Sequence, residues 1–340
     1  MIRLALRQFR ASAWTAVLAL ATVAAAVLAT RPDLVDAHRA CGPDLSCQAA
    51  FALDNIPVRT AFGLVVIVAP ALVGAFWGAP LVAREVEAGT HHLVWAQSIS
   101  RTRWLVSRLV VVGTATAAAT AVLSALVTWW AVPLDEAAAA AYGTLDQRDL
   151  APIGYALFAL ALGVCAGLLI RRTLPAMAVT LAGLLTARIV VTEWIRPLAA
   201  TPRTHSMPLD PDTTGYGAAG NILLGVGPST LQPTTPDIPN AWIQSVDVVD
   251  KAGKPLPNEV LHATCPTLDQ GHGGPAGPVP EAVRQRMHDC VARIGETYHE
   301  VVTYQPGSRY WLFQWWELGV FVVLTAILGG YALHRLRRIP

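Results

Sequence analysis

Charge is scarce in this chain. Asp, Glu, Lys and Arg make up 14% of its 340 residues, where a soluble chain carries about 25%. Lysine is nearly missing, with only Lys251 and Lys254 present. The formal net charge is +2 and no basic patch stands out, so nothing marks a nucleic-acid surface. The motifs of several chemistries are absent as well. No Gly-x-x-x-x-Gly-Lys-Ser/Thr loop occurs; Gly225-Val-Gly-Pro-Ser-Thr230 lacks the lysine that nucleotide phosphates require. There is no His-Glu-x-x-His and no nucleophile elbow. His91 and His92 are adjacent, so a helix would set them about 100° apart and not as an i, i+4 metal pair. The sequence therefore predicts no enzyme activity, catalytic residue, metal or cofactor in this chain.

What is abundant is apolar sequence, at 54% of the residues. Runs of about 20 apolar residues match a hydrocarbon core of about 30 Å. Six such runs occur, roughly Ser12–Thr30, Thr60–Val82, Trp104–Val132, Ile153–Ile170, Leu174–Trp194 and Trp311–Leu333. Arg3, Arg7 and Arg10 precede the first run, as in a signal peptide, but the run is long for one and reads as a retained span. The expected class is an all-α polytopic membrane protein with six transmembrane helices.

Arginine sets the expected orientation. Arg84, Arg101, Arg103 and Arg108 lie between spans two and three, Arg171 and Arg172 between four and five, and Arg335, Arg337 and Arg338 after six. The alternate short loops instead hold Asp33, Asp36, Asp44, Asp54, Asp135, Glu136, Asp146 and Asp149, against Arg31, Arg39, Arg59 and Arg148. Positive residues in short loops stay cytoplasmic, which places both termini inside a plasma membrane. Trp129-Trp130, Trp194, Tyr310-Trp311 and Trp315-Trp316 fall near the outer ends, as aromatic belts do. At the N-terminus, Arg3, Arg7 and Arg10 share one helical face and Ile2, Leu6 and Phe9 the other, the pattern of an interfacial amphipathic helix against membrane lipid.

Residues 197–308 interrupt this pattern with a polar, Pro- and Gly-rich insertion, so the chain divides into 1–196, 197–308 and 309–340. The insertion reads as a small, largely irregular extracytoplasmic domain. Ile243–Val249 alternates like a strand, a turn follows at Asp250–Gly253, and Glu281–Tyr298 has helical spacing. Cys41, Cys47, Cys265 and Cys290 all fall outside by this topology, where disulfides form. Four cysteines allow three connectivities, and local pairing predicts Cys41–Cys47 and Cys265–Cys290. A zinc set drawn from His262, Cys265, His272, His288, Cys290 and His299 has suitable ligands but competes with that disulfide.

Within the spans, Arg188 and Glu317 are the costly residues, since a central charge costs about 2.5–3.5 kcal/mol on insertion scales. Counting at about 1.5 Å per residue sets them at matching depths and predicts a direct ion pair between spans five and six. Pro70, Pro80, Gly74 and Gly78 predict a kinked, closely packed span two.

The most telling stretch is Arg84-Glu-Val-Glu-Ala-Gly-Thr-His-His-Leu-Val-Trp-Ala-Gln-Ser-Ile-Ser-Arg-Thr-Arg-Trp104, where Glu85 and Glu87 are the only acids on the arginine-marked side. Arg84-Glu-x-Glu-x-Gly-Thr90 with Trp95-x-Gln-Ser98 and Ser100-Arg-x-Arg-Trp104 resembles the ABC-2 type permeases, the membrane subunits of ATP-binding-cassette exporters of ABCG-like fold. Tyr304-Gln-Pro-Gly-Ser-Arg-Tyr-Trp-Leu-Phe-Gln-Trp-Trp-Glu317 is similar to bacterial, especially actinobacterial, members. The resemblance implies a separate ATPase subunit holding ATP and Mg, a second permease copy or a related permease, and an amphipathic drug, antibiotic or peptide as cargo. It also implies a short coupling helix. Gly89 would end span two and Thr90 cap the helix through Gln97 and Ser98, with Leu93, Val94 and Trp95 as apolar anchors and Glu85 and Glu87 as complementary charges. A different class, an extracytoplasmic sensor or assembly protein, would need a cytoplasmic output module.

Overall fold

The computed structural model of the chain describes residues 2–87, 101–138, 141–209, 215–218, 229–232, 238, 240–265 and 281–337. They form two compact units, Met1–Ala200 with Ser308–Pro340, and Thr201–Gly307. Six helices among the described residues are long and apolar enough to cross a membrane: Ala13–Cys41, Ile56–Glu85, Thr102–Ala137, Ala151–Ile170, Thr173–Ala199 and Gly307–Arg337. These are spans one to six below.

The helix of span one begins at Ile2 and continues unbroken to Cys41, well past the expected end at Thr30. Gly42 then turns the chain with φ +54°, a conformation that suits a residue without Cβ. A Cys41–Cys47 disulfide, with Cα atoms 5.4 Å apart, ties this end to a short helix, Leu45–Asp54. Asp44 caps that helix by accepting from Ser46 N at 2.9 Å and Cys47 N at 3.3 Å. Hydrogen bonds from Ser46 and Cys47 stabilise its ionised form and hold the carboxyl below the ordinary value.

Span two is not uniform. An α-helix over Ile56–Leu72 passes into a π-helical turn at Val73–Gly78 and resumes over Pro80–Glu87. Pro80 has no N–H to donate, and Ala79 N reaches back to Gly74 O at 2.9 Å, the wider π spacing. Gly74 and Gly78 thus fall within a π segment that Pro80 follows.

That segment lies against span four, the centre of the bundle. In span four 72% of the membrane window is buried, against 6% in span one, 22% in span five and 17% in span six. Lipid tails are as apolar as leucine, so close approach rather than hydrophobicity must hold such helices together. Here glycine permits backbone contact. A Cβ on Gly78 would lie 2.7 Å from Leu160 O, and one on Gly163 2.7 Å from Ala79 N. Larger side chains fill in around this seam. Val82, Trp104, Leu105, Val164, Leu168 and Leu336 pack at one end of the bundle, and Tyr155, Phe158, Leu184 and Phe321 nearer the other. Outward faces stay apolar, as at Leu174, Leu185 and Trp315, which suits a hydrocarbon surround.

The second unit holds more regular sheet than its Pro- and Gly-rich sequence implies. Strands β1 (Arg203–Pro208), β4 (Trp242–Asp250) and β5 (Tyr298–Gln305) form an antiparallel sheet in the order β1-β5-β4, and β2 (Gly215–Ala218) pairs with β3 (Ser229–Gln232). β4 contains the expected strand. β5 escapes sequence reading because Glu300 and Gln305 turn inward beside Val302, which breaks the apolar-polar alternation. The expected helix ends at Gly295 rather than Tyr298, leaving that residue to begin β5. After β4, Asp250 accepts from Ala252 N at 2.8 Å and Lys254 N at 2.9 Å, forming the expected turn, and those bonds hold its carboxyl below the ordinary value. A Cys265–Cys290 disulfide joins helices Asn258–Thr264 and Glu281–Gly295 within a core of Leu209, Leu261, Val291 and Ile294. With both sulfurs bonded to each other, the alternative zinc set loses its thiolates. His272 lies outside the described residues.

Alanine at Gly78 or Gly163 should force spans two and four apart, at a cost of about 1–3 kcal/mol. The thermal transition of the purified protein should fall for both variants. Gly329→Ala should leave it unchanged, because a Cβ at that position would have no neighbour within 4 Å. Equal transitions in all three would remove the backbone seam as a source of stability.

Candidate functional site

Polar side chains collect at the two ends of the membrane unit. At the arginine-rich end, span two finishes beside the starts of spans three and five. Glu85 Oε1 lies 3.3 Å from Arg108 Nη2 of span three. Arg108 also donates to Leu81 O at 3.3 Å and stacks over Trp104, its Cζ 4.4 Å from the ring centroid. Glu87 Oε2 accepts from Thr173 N at 3.1 Å and Thr173 Oγ1 at 2.7 Å. The start of span five has no side-chain cap of its own, as Arg172 at the N-cap makes no such bond. Glu87 supplies that cap from span two, where a carboxylate also complements the helix dipole. The Thr173 hydroxyl and amide hold the Glu87 carboxyl below its ordinary value.

The sequence reads Glu85 and Glu87 as complementary charges for a partner subunit; in the structure each also makes contacts within the membrane unit. The nearest complements, Arg108 and the open start of span five, lie on adjacent helices that the sequence spacing does not reveal. Gly89, Thr90, Leu93, Trp95, Gln97 and Ser98, with His91, His92 and Val94, lie outside the described residues.

At the acid-rich end the structure corrects the predicted Arg188–Glu317 pair. Glu317 of span six is fully buried and meets Arg196, whose Nη2 lies 2.8 Å from Oε1 and Nε 3.0 Å from Oε2. Tyr155 of span four donates its hydroxyl to the same carboxylate. Arg188 lies against the face of that tyrosine, its Cζ 4.5 Å from the ring centroid. Its Nη2 donates instead to Asp146 Oδ2 at 2.8 Å and its Nη1 to Ile67 O at 3.4 Å. The Tyr155 ring thus stands between the two charges that depth counting matches.

The link between spans three and four completes this polar belt. Arg148 pairs with Asp135, which also meets Arg59 of span two at 3.4 Å. Gln314 of span six is fully buried and accepts from Leu150 N at 3.0 Å and Ala151 N at 2.9 Å, capping span four. Its amide donates to Leu145 O at 2.9 Å and Arg148 O at 3.2 Å. Tyr310 donates to Asp149 Oδ2 at 2.6 Å. Arg196, Tyr155, Asp146 and Gln314 do not stand out in the sequence. Arg196 sits before Pro197 and looks like a loop residue, but a π turn over Val190–Ile195 carries span five on to it. Uncompensated Glu317 is the available signal, since a buried acid needs a nearby base.

The family model described as ABC-2 membrane transporter related matches residues 16–196, more than half of the chain and nearly all of its first five spans. The chain belongs to this family, and is thus an ABC-2 type permease and a component of membrane transport. No curated protein and no solved structure matches it.

Three outcomes test the polar contacts. Arg196→Ala should destabilise the protein by about 3–5 kcal/mol, because it leaves a buried carboxylate without its base. In double-mutant cycles on unfolding, Arg196 with Glu317 should couple far more strongly than Arg188 with Glu317; the reverse order would restore the sequence-predicted pair. At the other end, the depressed pKa of Glu87 makes its contribution complete above its ordinary value of 4.5 and lost as pH falls through the lower folded-state value. The stability difference between wild type and Glu87→Gln should therefore shrink on acidification below pH 4.5. A difference that does not vary with pH would mean that the Glu87 charge does not cap span five.

Proposed function

We propose that this chain is the membrane subunit of an ATP-binding-cassette exporter, moving an amphipathic substrate such as a drug, antibiotic or peptide. ATP, with Mg, is hydrolysed by a separate subunit, and two copies of this chain, or this chain and a related permease, enclose the pathway. The arginine-rich end faces the cytoplasm and the second unit lies outside the plasma membrane, in keeping with the distribution of arginines.

The observation that carries this reading is where residues 88–100 join the family-matched bundle. They leave from Glu87, which caps span five, and return to the helix that bears Arg108, bound to Glu85. Force applied to this segment by a nucleotide-driven partner would reach spans two, three and five together. Span two carries a π turn at Val73–Gly78, and span five another at Val190–Ile195, which are natural points of bending. Switching between inward and outward access would then be a rigid-body shift of spans around the tightly held span four. In this scheme Glu85 and Glu87 transmit motion within the permease, and Leu93, Val94 and Trp95 supply the anchors for the ATPase.

Co-purification with the cognate ATPase tests the scheme. Trp95→Ala should reduce recovery of the complex and substrate-stimulated ATPase activity, while leaving the thermal transition of the isolated permease unchanged. The thiol of His91→Cys should react with membrane-impermeant reagents only when the cytoplasmic face is open, since Cys165 is buried. Labelling from outside, or full complex recovery with Trp95→Ala, would defeat the coupling role.

A further inference from the structure

Near the acid-rich end of span one, a cavity of about 350 Å³ opens between that helix and span three. Its wall combines two arginines, one aspartate and a tryptophan with the apolar surfaces of Leu28 and Val35. The level of this cavity follows from the helix. Arg31 is 18 residues beyond Ala13, where span one begins, and so about 27 Å along the axis, close to the thickness of a hydrocarbon core. Trp130 of span three donates to Thr30 Oγ1 at 3.0 Å, which brings the Trp129-Trp130 pair to the same height. Interfacial tryptophans mark the layer of lipid head groups.

The arginines are arranged to bind more than each other's neighbours. Arg31 lies flat over Trp129, its Cζ 3.9 Å from the ring centroid, and its Nε donates to Trp129 O at 3.3 Å. These contacts orient the guanidinium, and its two Nη groups have no protein partner among the described residues. Arg39, two turns of helix further on, reaches only Asp36, at 3.8 Å, with both side chains about three-quarters exposed. That pair is weak and readily rearranged. A guanidinium matches phosphate oxygens through parallel N–H bonds, and a rigid one does so at less entropic cost.

We propose that this cavity binds the head group of an aminophospholipid, with its phosphate across Arg31 and Arg39 and its ammonium on Asp36. The charges in the cavity favour this assignment. Asp36 decides between head groups: beside the two guanidiniums that take the phosphate, its carboxylate gives an ammonium a partner, whereas a head group with no cation would set its phosphate against that carboxylate uncompensated. The apolar surface of Leu28, 61% exposed, continues from the head-group site toward the core of the membrane and gives the glycerol and upper acyl chain a seat. A soluble phosphate would leave that surface unused. The lipid would also fix the end of span one against span three, where Arg31 and Trp129 already meet. The proposal needs only that span one crosses a membrane, and does not depend on how transport is powered.

Native mass spectrometry of the full chain, released from nanodiscs of equal phosphatidylethanolamine and phosphatidylglycerol, tests it. The wild type should retain phosphatidylethanolamine preferentially. Arg39→Gln, at an exposed position, and Arg31→Gln/Arg39→Gln should each weaken that retention, the double variant by about tenfold or more. Asp36→Asn should lower the preference for phosphatidylethanolamine over phosphatidylglycerol without removing lipid. Far-ultraviolet circular dichroism should be unchanged throughout, which separates loss of the site from loss of fold. Millimolar inorganic phosphate should fail to displace the lipid. Undiminished retention in the double variant would overturn the site, and displacement by phosphate would make it a free-anion site instead.

Discussion

Everything in the membrane unit is arranged around one close backbone approach. Gly74 and Gly78 of span two and Gly163 and Gly167 of span four lie where a Cβ would strike the opposite chain. In hydrocarbon, apolar side chains gain little by leaving lipid for protein, so contact distance and polar pairing carry the association. The seam holds span two against the most buried helix of the bundle and leaves spans one, five and six with mostly outward apolar faces. It also explains why the π turn is tolerated there, because its altered backbone is enclosed by protein rather than exposed to lipid.

Polar contacts then lock the ends that packing leaves open. Two helices are capped from neighbouring spans rather than from their own sequence, span four by Gln314 and span five by Glu87. Each cap satisfies backbone amides and joins elements far apart in the chain. The acid-rich end is the more heavily tied, with Glu317, Arg196 and Tyr155 in one group and Arg188, Asp146, Asp135 and Arg148 in others. Burying a charge costs several kcal/mol, so such groups persist only where partners and hydrogen bonds are complete. A belt of this kind favours one arrangement of the spans at that end, while the two π turns, at Val73–Gly78 and Val190–Ile195, leave bending possible along spans two and five.

The two ends thus differ in character. The arginine-rich end carries few acids, and both that stand out in the sequence transmit contacts between spans. At the acid-rich end, ion pairs crowd the inside of the bundle, and the cavity near Arg31 faces its rim. Under the proposed export function, force entering at Glu85 and Glu87 against a firmly tied structure at the other end would be converted into a change of access rather than into general loosening.

Sequence alone determined the six spans, the local cysteine pairs, the β4 strand and the membership in a transport family that residues 16–196 carry, because hydrophobic length, spacing and short-range geometry are written along the chain. It also marked Arg188 and Glu317 as needing partners. Which partners they found was decided only by tertiary structure. Depth counting treats a helix as a uniform ruler, but span five continues through a π turn to Arg196, which takes Glu317, and the Tyr155 ring came between the matched charges. The same holds for Glu87, whose cap on Thr173 joins residues 86 positions apart, and for β5, whose inward Glu300 and Gln305 hide its periodicity. Composition reports how much must be buried, while the choice of neighbour depends on how helices cross, and that is a property of the whole bundle.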